Sequence, residues 1–218
     1  PVRTHMIKIP TYNIKSITPV DRTENSELRI LCIDIECLQT DFTRQMDARK
    51  DPVIMISLSF SPEHKNKSSL VLVSKPYSGS NGRGFPDEKE MLKEFMNMIE
   101  EYDPDVITGY NIINFDLPHI LERLKKYDIP TAMGRCDKSV FAKQMTGKMG
   151  VMGVPITGRI VFDAYQVIKN DVYIRLHRYN LDTVARELIG EEKKDVSYDQ
   201  IPELWKNNVA KLVDYAEN

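Results

Sequence analysis

The chain has 218 residues, with 30 Lys and Arg against 32 Asp and Glu, so its formal net charge is −2. Hydrophobic residues make up 41% and charged residues 28%, a composition typical of a globular domain that excludes disordered, collagen-like and disulfide-rich chains. The near-neutral charge argues against a broad basic surface for duplex DNA, and no apolar run approaches the roughly 18 residues that a membrane helix needs.

The first part of the chain predicts a lead-in followed by three strands. Residues 1–27 carry prolines and a polar stretch, and we interpret them as a lead-in from a preceding N-terminal domain. Residues 28–37 alternate apolar and polar side chains with the period of two that is typical of a strand. Residues 53–60 and 68–74 predict two further strands, and short polar links favour an antiparallel meander.

The rest of the chain mixes helices with further strands. Residues 78–84 and 131–158 predict irregular segments, because glycine and polar residues interrupt any apolar period. A short apolar run predicts a strand at 105–110, and residues 158–168 predict a strand followed by a helix. Helical spacing of apolar residues predicts further helices at 87–102, around 117–124, at 181–190 and at 207–218. The prediction is an α/β fold in which helices flank a central mixed sheet of five strands, the antiparallel meander plus parallel strands.

Two acidic residues on the first predicted strand are candidates for metal binding. Asp34 and Glu36 are two positions apart, so their side chains share one face of the strand. Like charges there repel each other, and a divalent cation with oxygen ligands, such as Mg²⁺ or Mn²⁺, would relieve the repulsion. The alternative is a solvated polar face, although the apolar flanking residues favour a central strand.

Three other polar positions have a structural and a functional interpretation. Asp116 either caps the helix that follows it or converges on the two strand carboxylates, and Asn111 fits a turn equally well. Tyr215 lies on an amphipathic helix, where it either packs in the core or orients a water molecule. Asp163 precedes a predicted helix, and we interpret it as a structural cap.

These residues resemble the motifs of the 3′–5′ proofreading exonuclease domain of family B DNA polymerases. Residues 34–36, Asp-Ile-Glu, are similar to the first motif, an Asp-x-Glu on the first strand. Residues 110–116, YNIINFD, resemble the second motif, Tyr-Asn-x-x-x-Phe-Asp. Residues 215–218 match the third motif, Tyr-x-x-x-Asp, up to its last position. The three motifs follow the family's order and spacing within residues 28–218.

The resemblance implies an RNase H-like fold and a two-metal reaction. The substrate would be single-stranded DNA, whose 3′-terminal phosphodiester is hydrolysed with two Mg²⁺ or Mn²⁺ ions. Such ions stabilise the attacking and leaving oxygens. Asp34, Glu36 and Asp116 would be the catalytic metal ligands, and Tyr215 would orient the attacking water.

The resemblance also implies a substrate pocket and partners. Asn111 and Phe115 would shape the pocket for the terminal nucleotide, although Phe115 fits a core position equally well. The partners would be the 3′ end of single-stranded DNA and the polymerase domains of the same parent chain, a DNA-directed DNA polymerase, with no membrane. The last Asp of the third motif would follow residue 218, so we interpret 28–218 as an exonuclease domain truncated at its C-terminal helix.

Two alternatives stay open at this point. One is a freestanding repair exonuclease of the same superfamily. The other is a catalytically silent domain that serves as a structural or single-strand-binding module. Three cysteines without a Cys-x-x-Cys pair are typical of a reduced intracellular protein, cytoplasmic if the source is archaeal and nuclear if it is eukaryotic.

Overall fold

The computed structural model describes residues 14–79, 81–144, 152–191 and 196–217. Asn218, within the predicted third motif, lies outside these ranges. The strands are β1 (Ile30–Cys37), β2 (Val53–His64), β3 (Lys67–Val73), β4 (Gly82–Gly84), β5 (Val106–Gly109), β6 (Lys143–Gln144), β7 (Met152–Gly153) and β8 (Ile160–Asp163). The helices are α1 (Glu88–Tyr102), α2 (Asp116–Lys126), α3 (Ala164–Asn170), α4 (Leu181–Ile189), α5 (Ile201–Asn207) and α6 (Val209–Glu217), with a 3₁₀ turn at Tyr198–Gln200.

Six of the strands form one mixed sheet in the order β4–β3–β2–β1–β5–β8. β1, β2 and β3 form the predicted antiparallel meander, and β5 and β8 extend the sheet in parallel beyond β1. The α/β prediction is confirmed, but the predicted count of five strands is wrong. The sixth strand, β4, pairs in parallel with β3 inside the predicted irregular loop 78–84. Its three residues include two glycines, so no alternation of side chains marks it in the sequence.

Three other short elements, β6, β7 and α5, were not predicted. β6 and β7 pair with each other inside the segment 131–158, which was predicted to be irregular. Their connection, residues 145–151, lies outside the described residues. α5 precedes the predicted helix α6. By contrast, α4 ends where predicted, at Gly190, whose φ of 72° places it in the left-handed region that favours glycine.

The sheet separates two apolar cores. On one face, α1 and α2 pack against β1 through residues that include Leu31, Ile33 and Phe95. On the other face, α5 and α6 cover β2 and β3, and Val71 and Leu212 belong to the apolar cluster between them. Side chains alternate along a strand, so Asp34 points away from the core that contains its neighbour Ile33. The candidate carboxylate therefore lies on the face that α6 covers.

A buried ion pair ties the helices of the first core to the sheet. Glu88, at the start of α1, accepts hydrogen bonds from the backbone N–H of Val53 at 2.8 Å and from Nε of Arg123 at 2.7 Å. The hydroxyl of Tyr127 donates to the same carboxylate at 2.8 Å. Both partners of the ion pair are buried, with side chains 2% (Arg123) and 7% (Glu88) exposed. α1, α2 and the start of β2 are thus held at one point.

The described part of the predicted lead-in, residues 14–27, is exposed and contains no helix or strand. Its assignment to a preceding domain stays a prediction. None of the helices in the described ranges is long and apolar enough to cross a membrane.

Candidate active site

A cleft of about 390 Å³ opens beside β1 on the face covered by α6. Asp34 is half-buried and lines this cleft together with Tyr110 and Tyr215. Further along β1, Glu36 is buried, with 7% of its surface exposed. The register between β1 and β2 shifts just after Glu36, and such irregularities re-aim side chains at the end of a strand. The structure thus brings two of the predicted site residues, Asp34 and Tyr215, to one cleft.

The carboxylate of Asp116 faces β1 and does not cap its own helix. Phe115 occupies the N-cap position of α2, and no side chain caps that helix end. Asp116 is the first residue of the helix, and its Oδ1 accepts a hydrogen bond from the backbone N–H of Ile35 at 3.1 Å. The capping interpretation of Asp116 is therefore wrong. The contact joins the second motif to the strand that carries the first.

Burial and charge repulsion both act on Asp116. Burial, followed by the negative charge of Asp34, raises the pKa of Asp116 from 3.8 to about 7. Cys32 lines the cleft, but the surrounding protein shields its thiol from most of the solvent. This desolvation, together with the charges of Asp34 and Asp116, raises the pKa of Cys32 to about 11. Both shifts show that Asp34 and Asp116 share one electrostatic environment, where a cation would be stabilised.

The predicted three-carboxylate metal centre is not assembled as a compact group. Among the described residues, no three His, Cys, Asp or Glu side chains are grouped closely enough to hold a metal ion. The negative charge of Asp34 raises the pKa of Asp116, so these two carboxylates interact electrostatically. The roles of the three residues as ligands stay predictions.

Asn111 and Phe115 lie on the connection between β5 and α2. Asn111 has a φ of 63°, which fits the turn interpretation, and its Oδ1 accepts a hydrogen bond from Nδ2 of Asn114 at 2.9 Å. Phe115 packs against the first core beside the ring of His119. The wall of the cleft includes Tyr110, from the same motif, but neither Asn111 nor Phe115. Their contact with a nucleotide stays a prediction.

Asp163 caps α3, as predicted, and also holds the second motif. Its carboxylate accepts a hydrogen bond from the backbone N–H of Tyr165 at 3.0 Å, which is the cap. It also accepts from the N–H groups of Asn111 at 3.0 Å and Ile113 at 3.1 Å. The turn that precedes Asp116 is therefore fastened to β8, an arrangement that the sequence did not reveal.

Tyr215 packs in the second core with 8% of its surface exposed. The two residues that follow it bond the end of α6 to the sheet. Ser57 of β2 donates to the backbone carbonyl of Ala216 at 2.6 Å, and Ser69 of β3 donates to Oε1 of Glu217 at 3.0 Å. The core interpretation of Tyr215 holds for its ring, and the ring also borders the cleft.

Tyr110 is a cleft residue that the sequence analysis did not single out. Its hydroxyl donates a hydrogen bond to the backbone carbonyl of Tyr179, which precedes α4. Its ring meets that of Tyr165 edge to face, with centroids 5.5 Å apart. The initial Tyr of the second motif was the available signal, since it lies directly after the buried strand β5.

Fold and site together define a mixed α/β domain in which Asp34 lines a cleft and interacts electrostatically with the buried Asp116, an arrangement typical of hydrolases that act on phosphate esters. The model of the family "DNA polymerase family B, exonuclease domain" matches residues 3–184, which is most of the chain. The chain therefore belongs to the exonuclease domains of family B DNA polymerases.

The relatives of this chain include DNA polymerases of eukaryotes and archaea. The chain is 35% identical over 196 residues to the DNA polymerase delta catalytic subunit of Caenorhabditis elegans, a match that covers 83% of this chain and 18% of that protein. It is 38% identical over 187 residues to the same subunit of Plasmodium falciparum, with coverage of 79% and 17%. It is 36% identical over 192 residues to a DNA polymerase of Pyrococcus glycovorans, with coverage of 88% and 23%. The chain thus spans about a fifth of the length of these relatives.

Proposed function

We propose that the domain is a 3′–5′ exonuclease that removes the terminal nucleotide from single-stranded DNA and proofreads for a polymerase. The observation that carries this proposal is the convergence of Asp34 and Asp116, from two different motifs, beside a cleft. Asp116 is buried and Asp34 is half-buried, and repulsion between two such carboxylates destabilises a fold that holds no cation between them, so the pair indicates a functional site. Membership of the exonuclease family supports DNA as the substrate.

The proposed fold type is RNase H-like, with the exonuclease domain beginning at residue 28. The central position of β1 in a mixed sheet and the parallel pairing of β1 with β5 support this assignment. Residues 1–27 would belong to a lead-in from a preceding domain.

Asp34, Glu36 and Asp116 would hold the divalent ions, Mg²⁺ or Mn²⁺. Oxygen donors suit these cations. A cation near Asp34 and Asp116 would offset the repulsion between their charges and lower the raised pKa of Asp116. When bound, such ions supply charge stabilisation for the attacking and leaving oxygens of a phosphodiester. The fit rests on Asp34 and Asp116, and the buried Glu36 would complete the set.

The other site residues would position the reactants. The hydroxyl of Tyr215 would orient the attacking water, with its ring held by the packing of α6. Asn111 and Phe115 would shape the pocket for the terminal nucleotide. Asp163 would act as a positioning residue, because its hydrogen bonds hold the turn that leads to the Asp116 carboxylate.

The whole protein would be a DNA-directed DNA polymerase that acts in DNA replication inside the cell. The printed names of the relatives support this proposal, and their greater length fits polymerase domains as partners in the same chain. The compartment would be the cytoplasm in an archaeon and the nucleus in a eukaryote.

Single-turnover hydrolysis of a 5′-labelled oligonucleotide in Mn²⁺ tests the function. Wild-type protein should shorten single-stranded DNA from its 3′ end faster than it degrades a matched duplex. Asp34→Asn should lower the rate by about a hundredfold or more, since losing one ligand raises the barrier by about 3 kcal/mol. Asp21→Asn, at an exposed position of the lead-in, is the matched control and should not change the rate. Binding of DNA without any hydrolysis by wild-type protein would favour the silent-domain alternative.

A further inference from the structure

The connection between α3 and α4 presents an aromatic ring and cationic groups to solvent. Tyr173 is 92% exposed, the highest value among the large hydrophobic side chains of the described residues. Arg175, His177 and Arg178 follow it within five residues, and all three are exposed. Residues 171–180 are called the rim loop below. Exposed aromatic rings interleaved with arginine are typical of surfaces that bind single-stranded nucleic acid.

Internal hydrogen bonds give the rim loop a defined shape. Oδ1 of Asp171 accepts from the backbone N–H of Tyr173 at 2.7 Å and from that of Ile174 at 3.2 Å. The hydroxyl of Tyr179 donates to the carbonyl of Ile174 at 3.2 Å and accepts from the N–H of Leu176 at 3.4 Å. The ring of Tyr173 is therefore presented by a braced backbone, which lowers the entropy lost when a ligand binds to it.

The rim loop borders the cleft that contains Asp34. Both helices that flank the loop contribute to the wall of the cleft, α3 through Ile168 and α4 through Leu181. In addition, Tyr110 in the cleft donates its hydroxyl hydrogen bond to the carbonyl of Tyr179 in the loop. If the 3′ end of a DNA strand enters the cleft, the nucleotides on the 5′ side of its terminal nucleotide would therefore lie against the rim loop.

The charges of the loop complement a nucleic-acid backbone. In the described parts of the chain, Arg178 makes no ion pair, and Arg175 bonds only to the backbone carbonyl of Asp171. Their guanidinium groups are thus not neutralised by carboxylates. The cleft next to them contains Asp34 and the chain as a whole has a net charge of −2, so these arginines supply local attraction for phosphate beside a negatively charged cleft.

We propose that the rim loop binds single-stranded DNA on the 5′ side of the nucleotide being removed. One base stacks on Tyr173, and Arg175 and Arg178 each contact a phosphate. This proposal rests on the exonuclease function proposed above, and it adds a binding surface outside the cleft. Protein as the ligand of the loop is less favoured, because the exposed apolar side chains of Val172 and Tyr173 lie beside two exposed arginines, a combination that suits a base and its phosphates.

A binding assay tests the stacking and the phosphate contacts. Fluorescence anisotropy would measure the affinity of the chain for fluorescein-labelled octathymidylate, with EDTA present to prevent hydrolysis. Tyr173→Ala should weaken binding about tenfold, whereas Tyr173→Trp should retain it, because base stacking needs an aromatic face. The double variant Arg175→Gln/Arg178→Gln should reduce the slope of log K against log salt by about 1.4, or about 0.7 per lost phosphate contact. The control is the double variant Lys89→Gln/Lys125→Gln, which also removes two positive charges. Both residues are exposed on α1 and α2, across the sheet from the rim loop, so the salt slope should not change.

Hydrolysis of substrates of two lengths separates this proposal from the proposed function. In Mn²⁺, loop variants should raise KM for the octamer while leaving turnover of a thymidine dinucleotide, too short to reach the loop, as in wild type. If wild-type protein hydrolyses neither substrate, the exonuclease function fails while the binding assay still reports on the loop. Unchanged octamer affinity and salt slope in the variants would overturn the proposal and leave the loop as a protein contact. Equal losses on both substrates would also overturn it, since they indicate a distorted cleft.

Discussion

The ionisation of Asp116 should control the stability of the domain near neutral pH. The residue is 2% exposed, and its carboxyl group interacts with the charge of Asp34. Replacement by asparagine removes the ionisable group and keeps an oxygen that can accept the hydrogen bond from the N–H of Ile35. We therefore expect Asp116→Asn to stabilise the fold at alkaline pH and to change it little in acid.

The magnitude follows from the difference between the folded and unfolded pKa. A carboxyl whose pKa rises from 3.8 to about 7 on folding contributes stability that is fully present below pH 3.8 and is lost as the pH rises through 7. The complete loss corresponds to about 4 kcal/mol, at 1.36 kcal/mol for each pH unit between the two values. About a third of this stability is already lost at pH 5. The advantage of Asp116→Asn over wild type in unfolding free energy should therefore grow by about 3 kcal/mol from pH 5 to pH 8.

Urea unfolding at pH 5 and pH 8 measures this difference, with EDTA present so that no divalent ion holds the carboxylate charged. The control is Asp21→Asn, which removes an exposed carboxylate and should give the same difference from wild type at both pH values. A gain for Asp116→Asn that does not change with pH would refute the argument, because it would mean that Asp116 titrates alike in the folded and unfolded chains.

Two further substitutions test the site and its support. Tyr215→Phe keeps the packed ring and removes the hydroxyl, so single-turnover hydrolysis should slow by about a hundredfold. An equal rate would exclude a role of the hydroxyl in orienting water. Arg123→Leu leaves the carboxylate of Glu88 buried without its ion pair and should cost about 3–5 kcal/mol of unfolding free energy in urea. Lys125→Leu removes the surface pair with Glu122 and should cost less than about 1 kcal/mol, so similar losses for the two variants would contradict the importance of burial.

The sequence by itself determined the elements whose signal is local. The alternation along β1 and the helical period of α1 are visible within single segments, because each reflects which side of one element is buried. The same alternation put Asp34 on one face, and the motif spacing identified Asp116 as a candidate. The cap at Asp163 was likewise predicted from its position before a helix.

Only the tertiary structure decided what depends on contacts between distant segments. β4 was missed because three residues become a strand only by pairing with β3. The carboxylate of Asp116 bonds to the N–H of Ile35, 81 residues earlier in the chain, a contact that depends on the parallel pairing of β1 with β5. A local pattern cannot encode such a contact, because the environment of a carboxyl group is set by which strand lies beside it in the sheet. The same pairing buries Asp116 near Asp34 and so raises its pKa, the property on which the proposed site depends.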